Sequence, residues 1–426
     1  MNIIKYPKPS EWPHIITRPH LDVTQLNDTV AAVLADVRQH GDDAVRKYEE
    51  RFDHAQLTSL AVTEDEIAQA ERETPADLLA AIRLAHHNIA KFHEAQRFAP
   101  LKVETAQGVT CWQKSVPIER VGLYIPGGTA PLFSTVLMLA TPAKIAGCKE
   151  IVLCTPPGKD GKVNPAILVA AHEAGVSRIF KAGGIQAIGA MAYGTETIPK
   201  VSKIFGPGNR FVMAAKQAVS LDGTAIDMPA GPSEVCVVAD EHANAAFVAA
   251  DLLSQAEHGS DSQVLLITTS EALLQQVQEE IGKQLKALPR CAFASDALDN
   301  SRMVLVHHTT EAMRLANRYA PEHLILQTID CMDLASQVVN AGSVFLGKYA
   351  CESAGDYASG TNHTLPTHGY ATAYSGVNLD SFMRKITFQH LTPEGIRSIG
   401  RTVELMAEAE ELQAHKHAMT LRIESL

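Results

Sequence analysis

Between residues 21 and 98 apolar side chains recur at helical spacing: Val30, Val33, Leu34 and Val37 form one series, and Leu78, Ile82, Ile89 and Phe92 another. That period places each series on one face of a helix and predicts a helical opening section. The pattern then changes to short β-rich runs at 120–125, 150–155, 178–181 and 201–205, separated by helix-like stretches at 132–146, 165–174 and 186–193. Strand, helix, strand is the rhythm of a parallel sheet. It restarts at 234–239 and continues through 263–267, 303–306, 323–326 and 343–346. The last fifty or so residues leave this rhythm, with Thr392-Pro393-Glu394 supplying an N-cap, a first-turn proline and an acidic first turn ahead of the stripe Ile396, Ile399, Val403 and Met406.

The expected fold class is therefore α/β, with two Rossmann-like parallel-sheet domains and helical N-terminal and C-terminal extensions. Residues 1–20 read as an N-terminal tail, 21–119 and 234–375 as the first α/β domain with its helical opening section, 120–233 as an inserted second α/β domain, and 376–426 as a C-terminal helical tail. A length of 426 residues is consistent with several units at about 150 residues each. The junction Asp227-Met-Pro-Ala-Gly-Pro-Ser233 is stiffened by proline and glycine, which suits a turn at a cleft between the units. Ligands of open α/β sheets gather at such places.

Composition narrows the function classes. A net charge of −11 argues against nucleic acid as the main partner, because phosphate binding needs a basic face. The most apolar run, 131–146, is interrupted by Ser134, Thr135, Thr141 and Lys144 and falls short of the roughly 20 residues of a spanning helix. The first residues lack the apolar core of a signal peptide, so a cytoplasmic protein without a membrane segment is expected. Seven cysteines without a C-x-x-C pair point to reduced thiols, and leave nitrogen and oxygen as the donors for any metal.

The chemistry concentrates in a few short stretches. Residues 352–366 crowd glycines and small hydroxyl residues around Asp356 and His363 without hydrophobic periodicity, as in a loop that holds a ligand or in a solvated surface loop. Residues 243–258 read as a helix ending at Gly259, with Gln255 and His258 three apart on one face; the pair suits a metal, and His258 alone would equally cap the helix C-terminus. His415 lies on the terminal helix, where alone it reads as part of a charged face. Together with Gln255, His258 and Asp356 it would complete a donor set suited to Zn²⁺ or Mn²⁺. Glu322 and His323, after Pro321, can supply a general base and a water activator in one turn, or form an exposed pair. The G-x-G-x-x-G fingerprint is missing. Its nearest relatives, 206–211 and 124–128, leave room for an atypical dinucleotide site or for plain tight turns.

Six segments in order, Val121–Gly128, Ile204–Asn209, Asp227–Glu234, Ser254–Gly259, Pro321–Leu324 and Gly355–His363, make the chain resemble the histidinol dehydrogenase family from about residue 21 to the C-terminus. The resemblance implies one Zn²⁺ per subunit on Gln255, His258, Asp356 and His415, and NAD⁺ contacted by Tyr124, Gln186 and Asn209 in the 120–233 domain. It implies substrate contacts from Ser233, His323, Glu410 and the zinc-ligand residues, and a homodimer in which the terminal segment crosses, so that His415 serves the other subunit. The implied reaction converts L-histidinol, two NAD⁺ and water to L-histidine and two NADH, with the aldehyde held between steps. In it His323 is the base and Glu322 activates the water. Three other readings stand beside it: a zinc- and NAD-dependent dehydrogenase of another small polar alcohol, a non-catalytic metal-dependent binding protein, and a cysteine-dependent aldehyde dehydrogenase using Cys351.

Overall fold

The structure, a computed structural model, describes residues 1–19, 24–127 and 131–426; Gly128 of the glycine turn after Tyr124 lies outside the described residues. Two parallel sheets form the frame. The larger has six strands in the order Asn2–Lys5, Arg302–Leu305, Gln263–Thr268, Glu234–Ala239, His323–Gln327 and Ser343–Leu346. The smaller has five, in the order Arg178–Lys181, Glu150–Thr155, Arg120–Tyr124, Lys203–Phe205 and Ala225–Ile226. The fold is α/β, as the alternating rhythm predicts. Glu234–Ala239 is buried along its whole length because neighbours pair with both of its edges and helices cover both faces, which is why its sequence reads as an unbroken apolar run.

The boundaries differ from expectation in three places. The segment expected as an N-terminal tail, 1–20, is no tail over its described residues 1–19: Asn2–Lys5 pairs in parallel with Arg302–Leu305, and Trp12 and Ile15 enter the core beneath the six-stranded sheet. A strand of four residues is too short to carry a readable alternation. The helical opening section belongs with the five-stranded sheet, not with 234–375. Val30, Val33, Leu34 and Val37 pack with Val152, Ile185 and Ile188, and Ile82 and Ile89 pack with helix Phe133–Ala146. Phe92, read as part of that stripe, is 46% exposed, and His93 takes the buried place instead.

The C-terminal segment is not helical throughout. Val377, Leu379 and Phe382 are core residues of the five-stranded unit, and Phe382 stacks on Phe205 at 4.1 Å between ring centroids. Met383–Leu391 then forms a nine-residue strand, antiparallel to Val109–Pro117, in a separate three-stranded sheet. Helix Pro393–Ala409 begins as expected, with the Thr392 hydroxyl accepting from the Gly395 N–H, and folds back against helix Gln413–Glu424. Among the described residues no helix is long and apolar enough to cross a membrane. The run 131–146 becomes helix Phe133–Ala146, apolar on all sides because it is buried on nearly all sides.

Candidate metal and dinucleotide cleft

A cavity of about 1350 Å³ separates the two parallel sheets. The five-stranded sheet meets it with its carboxyl ends, through Tyr124 and the Gly206 turn. The six-stranded sheet meets it with its amino ends, through Ser233 and His323.

Helix Ala245–Ala256 carries Gln255 to the cleft floor, and His258 follows where the chain tightens, its N–H donating to the Gln255 carbonyl at 3.3 Å. Opposite, Glu352 and Asp356 stand one turn apart on the short helix Glu352–Tyr357 and share a face. One donor atom each from His258, Glu352 and Asp356 lie within 4.8 Å of one another, as a metal ion requires. Oriented to satisfy both of its ends, the Gln255 carboxamide donates to Glu352 and accepts from the Glu234 N–H at 3.2 Å.

Next to this group lies a buried imidazole. His323 Nδ1 is 3.1 Å from the Glu234 carbonyl oxygen, which can only accept, so Nδ1 donates and Nε2 is left for the cleft. Nε2 is buried, has no hydrogen-bond partner among the described residues, and lies 3.6 Å from Asp356 Oδ1. Glu322 is tied to the backbone of the same residue, its Oε2 accepting from the Glu234 N–H at 2.9 Å. Glu234 is itself pinned by Arg18, whose Nη2 donates to Oε2 at 2.9 Å and to the Tyr319 carbonyl at 2.7 Å. One residue from the first twenty thus fixes the side chain of Glu234, whose backbone N–H and carbonyl hold Glu322 and His323.

Charge in this corner is unbalanced. Burial pushes Glu352 up to about 8 and Glu322 up to about 7, with like-charged neighbours adding to both shifts. Burial alone would lower His323, but attraction from Glu352, Glu322 and Asp356 outweighs it and raises the imidazole to about 10. Burial likewise opposes ionisation of Asp356, yet its contact with His323 takes it below the ordinary carboxylate range. Two buried carboxyl groups and the half-buried Asp356 around one imidazole whose Nε2 makes no hydrogen bond fit a divalent cation, which would take the place of the protons that burial holds on the carboxyl groups.

At the other end, the Tyr124 hydroxyl accepts from the Gly184 N–H at 3.1 Å, and Gln186 lies buried beside it. Asn209 caps helix Arg210–Leu221 through Oδ1, accepting from the Phe211 and Val212 N–H groups. The Gly206 turn before it is clamped by a buried ion pair. Asp227 accepts from the Gly206 N–H at 2.8 Å, Lys216 donates to the Gly206 carbonyl at 2.7 Å, and the two side chains pair with each other. Gly206 has φ +127°, and a Cβ there would fall 2.1 Å from the Tyr124 carbonyl oxygen, so only glycine fits.

The cleft gathers Tyr124, Gln186, Asn209, Ser233, Gln255, His258, Glu322, His323, Asp356 and His363. Glu410, which ends helix Pro393–Ala409, and His415, on helix Gln413–Glu424, lie outside the cleft of their own chain. Among the described residues no cysteine lines it, Cys351 included, which leaves a thiolate nucleophile without structural support. Glu352 was not singled out from sequence, although its i, i+4 relation to Asp356 was there to read.

Fold and cleft together define an α/β enzyme with a carboxylate–imidazole centre and a metal-fitting donor set between two parallel sheets. The chain belongs to the histidinol dehydrogenase family, whose model, described as "Histidinol dehydrogenase", matches residues 16–423. It is 65% identical to a histidinol dehydrogenase of Bacteroides fragilis over 426 residues, covering 100% of both chains. It is 50% identical to that of Salmonella typhimurium over 421 residues, or 98% of this chain and 96% of the relative. A crystal structure of histidinol dehydrogenase from Elizabethkingia anophelis superposes with a TM-score of 0.98 at 54% identity, covering 100% of this chain and 98% of the other. An acetylating aldehyde dehydrogenase from Geobacillus thermoglucosidasius, at 16% identity and a TM-score of 0.50 over 87% of this chain and 98% of the other, shares the fold alone.

Proposed function

We propose that this chain oxidises L-histidinol to L-histidine with two NAD⁺, through a bound aldehyde. The observation that carries the chemistry is the buried, unpartnered His323 Nε2, held by the Glu234 peptide beside Glu322 and aimed at the metal-fitting carboxylates.

Gln255, His258 and Asp356, with His415 of the partner subunit, would hold one Zn²⁺ per subunit; when bound it orients the amine and imidazole of the substrate. Ser233 and the partner subunit's Glu410 would complete the substrate contacts. Coordination of Asp356 would weaken one of the attractions that, after those of Glu352 and Glu322, hold the His323 proton, and Nε2 is the atom placed to act as a base. Nε2 takes the hydroxyl proton as the carbinol hydride leaves for NAD⁺ lying against Tyr124, Gln186 and Asn209, which gives the aldehyde. Glu322 takes a proton from the water that adds to the carbonyl carbon, and the carbonyl oxygen takes the proton that His323 holds, which frees Nε2 again. His323 then removes a hydroxyl proton from the resulting diol as the second hydride departs, leaving the carboxylic acid.

The five-stranded unit supplies the dinucleotide contacts in this reading, and the six-stranded unit supplies the base and most metal donors. A homodimer accounts for Glu410 and His415 standing outside their own cleft. The exposed Leu405, Met406 and Leu421 on the two C-terminal helices, with Leu412 between them, fit a surface covered by a partner. Seven unpaired cysteines suit a cytoplasmic setting. Relatives at 50% and 65% identity along nearly the whole chain support this reading over another polar alcohol or a non-catalytic role. The direct test is NADH formation by the purified protein on L-histidinol; no NADH with histidinol while another small alcohol is oxidised would reassign the substrate.

A further inference from the structure

Beneath the dinucleotide end of the cleft sits a carboxyl group that the mechanism does not use. Glu49 is fully buried and opens a single π-helical turn, Glu49–Asp53, in which the His54 N–H reaches back to the Glu49 carbonyl. Such turns push a side chain out of the helical register and recur at functional sites. Here the turn delivers Glu49 to the start of helix Gly184–Tyr193. Its Oε1 accepts from the Gly183 N–H and from Gln186 Nε2, both at 2.7 Å.

Two consequences follow from donor and acceptor chemistry. Because Gln186 spends its Nε2–H on Glu49, its Oε1 must point elsewhere, and that oxygen is buried at the cleft without a partner among the described residues. Glu49 Oε2 is likewise buried without a hydrogen-bond donor among the described residues, and its neighbour is the carboxyl of Asp53. Two carboxyl groups satisfy each other only when one carries a proton.

Resting on the assignment of NAD⁺ to this end of the cleft, we propose that Glu49 is a positioning residue. It turns the Gln186 carbonyl oxygen toward an amide or amino N–H of the dinucleotide, and it keeps that orientation by sharing one proton with Asp53. Burial raises Glu49 to about 8, partly offset by its bonds to Gly183 and Gln186 and reinforced by Asp53. The other titratable groups facing the pair are His54 on the same segment, and Tyr124 and Cys154 on the adjoining strands. Above that pH the shared proton is lost, the two carboxylates repel, and the Gln186 amide is no longer held.

The test measures NAD⁺ dissociation constants directly and NAD⁺ and histidinol KM values across pH 6.5 to 9.5, for the metal-loaded wild type, Glu49→Gln and Glu49→Leu. Glu49→Gln keeps an acceptor for Gly183 and Gln186 and supplies Asp53 with a permanent donor. Wild-type affinity for NAD⁺ should weaken as pH passes about 8, and Glu49→Gln should abolish that change. Glu49→Leu should weaken NAD⁺ by roughly tenfold at every pH, the loss of about one buried hydrogen bond. Histidinol KM and metal content should stay within twofold in both. An unchanged alkaline weakening in Glu49→Gln, or wild-type NAD⁺ affinity in Glu49→Leu, overturns the proposal. Failure of the wild type itself to bind NAD⁺ would instead remove the cofactor assignment on which it rests.

Discussion

His323 is the residue on which most of the chemistry converges, and its tautomer follows from one contact. The Glu234 carbonyl can only accept, so Nδ1 keeps the proton and Nε2 faces the cleft. His323→Asn should lower kcat by roughly 10²- to 10⁴-fold, the usual contribution of a positioned base, with zinc content intact; undiminished turnover would take the base role from His323. His258→Ala should lose zinc and activity together, and full metal occupancy in that variant would remove His258 from the ligand set. Most of the candidate residues were legible because short segments keep them together, as in 254–259, 321–324 and 352–363. Arg18 and Glu49 were not. Arg18 meets Glu234 across 216 positions and Glu49 meets Gly183 across 134, and neither has a local pattern that marks it.

Elements explain why those residues arrive together. Helix Ala245–Ala256 starts at an Asn244 cap and ends where Gln255 and His258 face the cleft, and its small and apolar spacing was readable in advance. Met383–Leu391 was not read as a strand, since six of its nine residues are exposed and none is fully buried, so no buried face marks it in the sequence. The turn after Lys203–Phe205 depends on Lys216 and Asp227, which are separated from it in sequence and both buried. Asp227→Asn should destabilise the fold by about 3–5 kcal/mol, because it strands a buried ammonium. Chemical denaturation would report this, and a loss near zero would mean that Lys216 finds another counter-charge.

For the whole molecule, the two parallel sheets were visible in the strand and helix rhythm, whereas their outer boundaries depended on distant contacts. The chain enters through the six-stranded sheet, lays its opening helices on the five-stranded one, and returns Phe382 to that core. Glu410 and His415 then stand outside their own cleft, so completion of the site by a partner is a prediction about the dimer. Mixing unfolded His323→Asn and His415→Ala chains and refolding them together should restore about a quarter of wild-type sites, since half the dimers are mixed and each holds one intact site. No recovery from two separately inactive, folded dimers would place His415 in its own chain's site.

The central claim is a four-electron oxidation at a metal-dependent centre. It is tested most directly by the number of NADH formed per L-histidinol consumed, measured on the purified protein before and after zinc chelation. The expected ratio is near two, abolished by the chelator and restored by zinc; a ratio near one with released aldehyde, or turnover indifferent to chelation, would refute the four-electron, metal-dependent reaction.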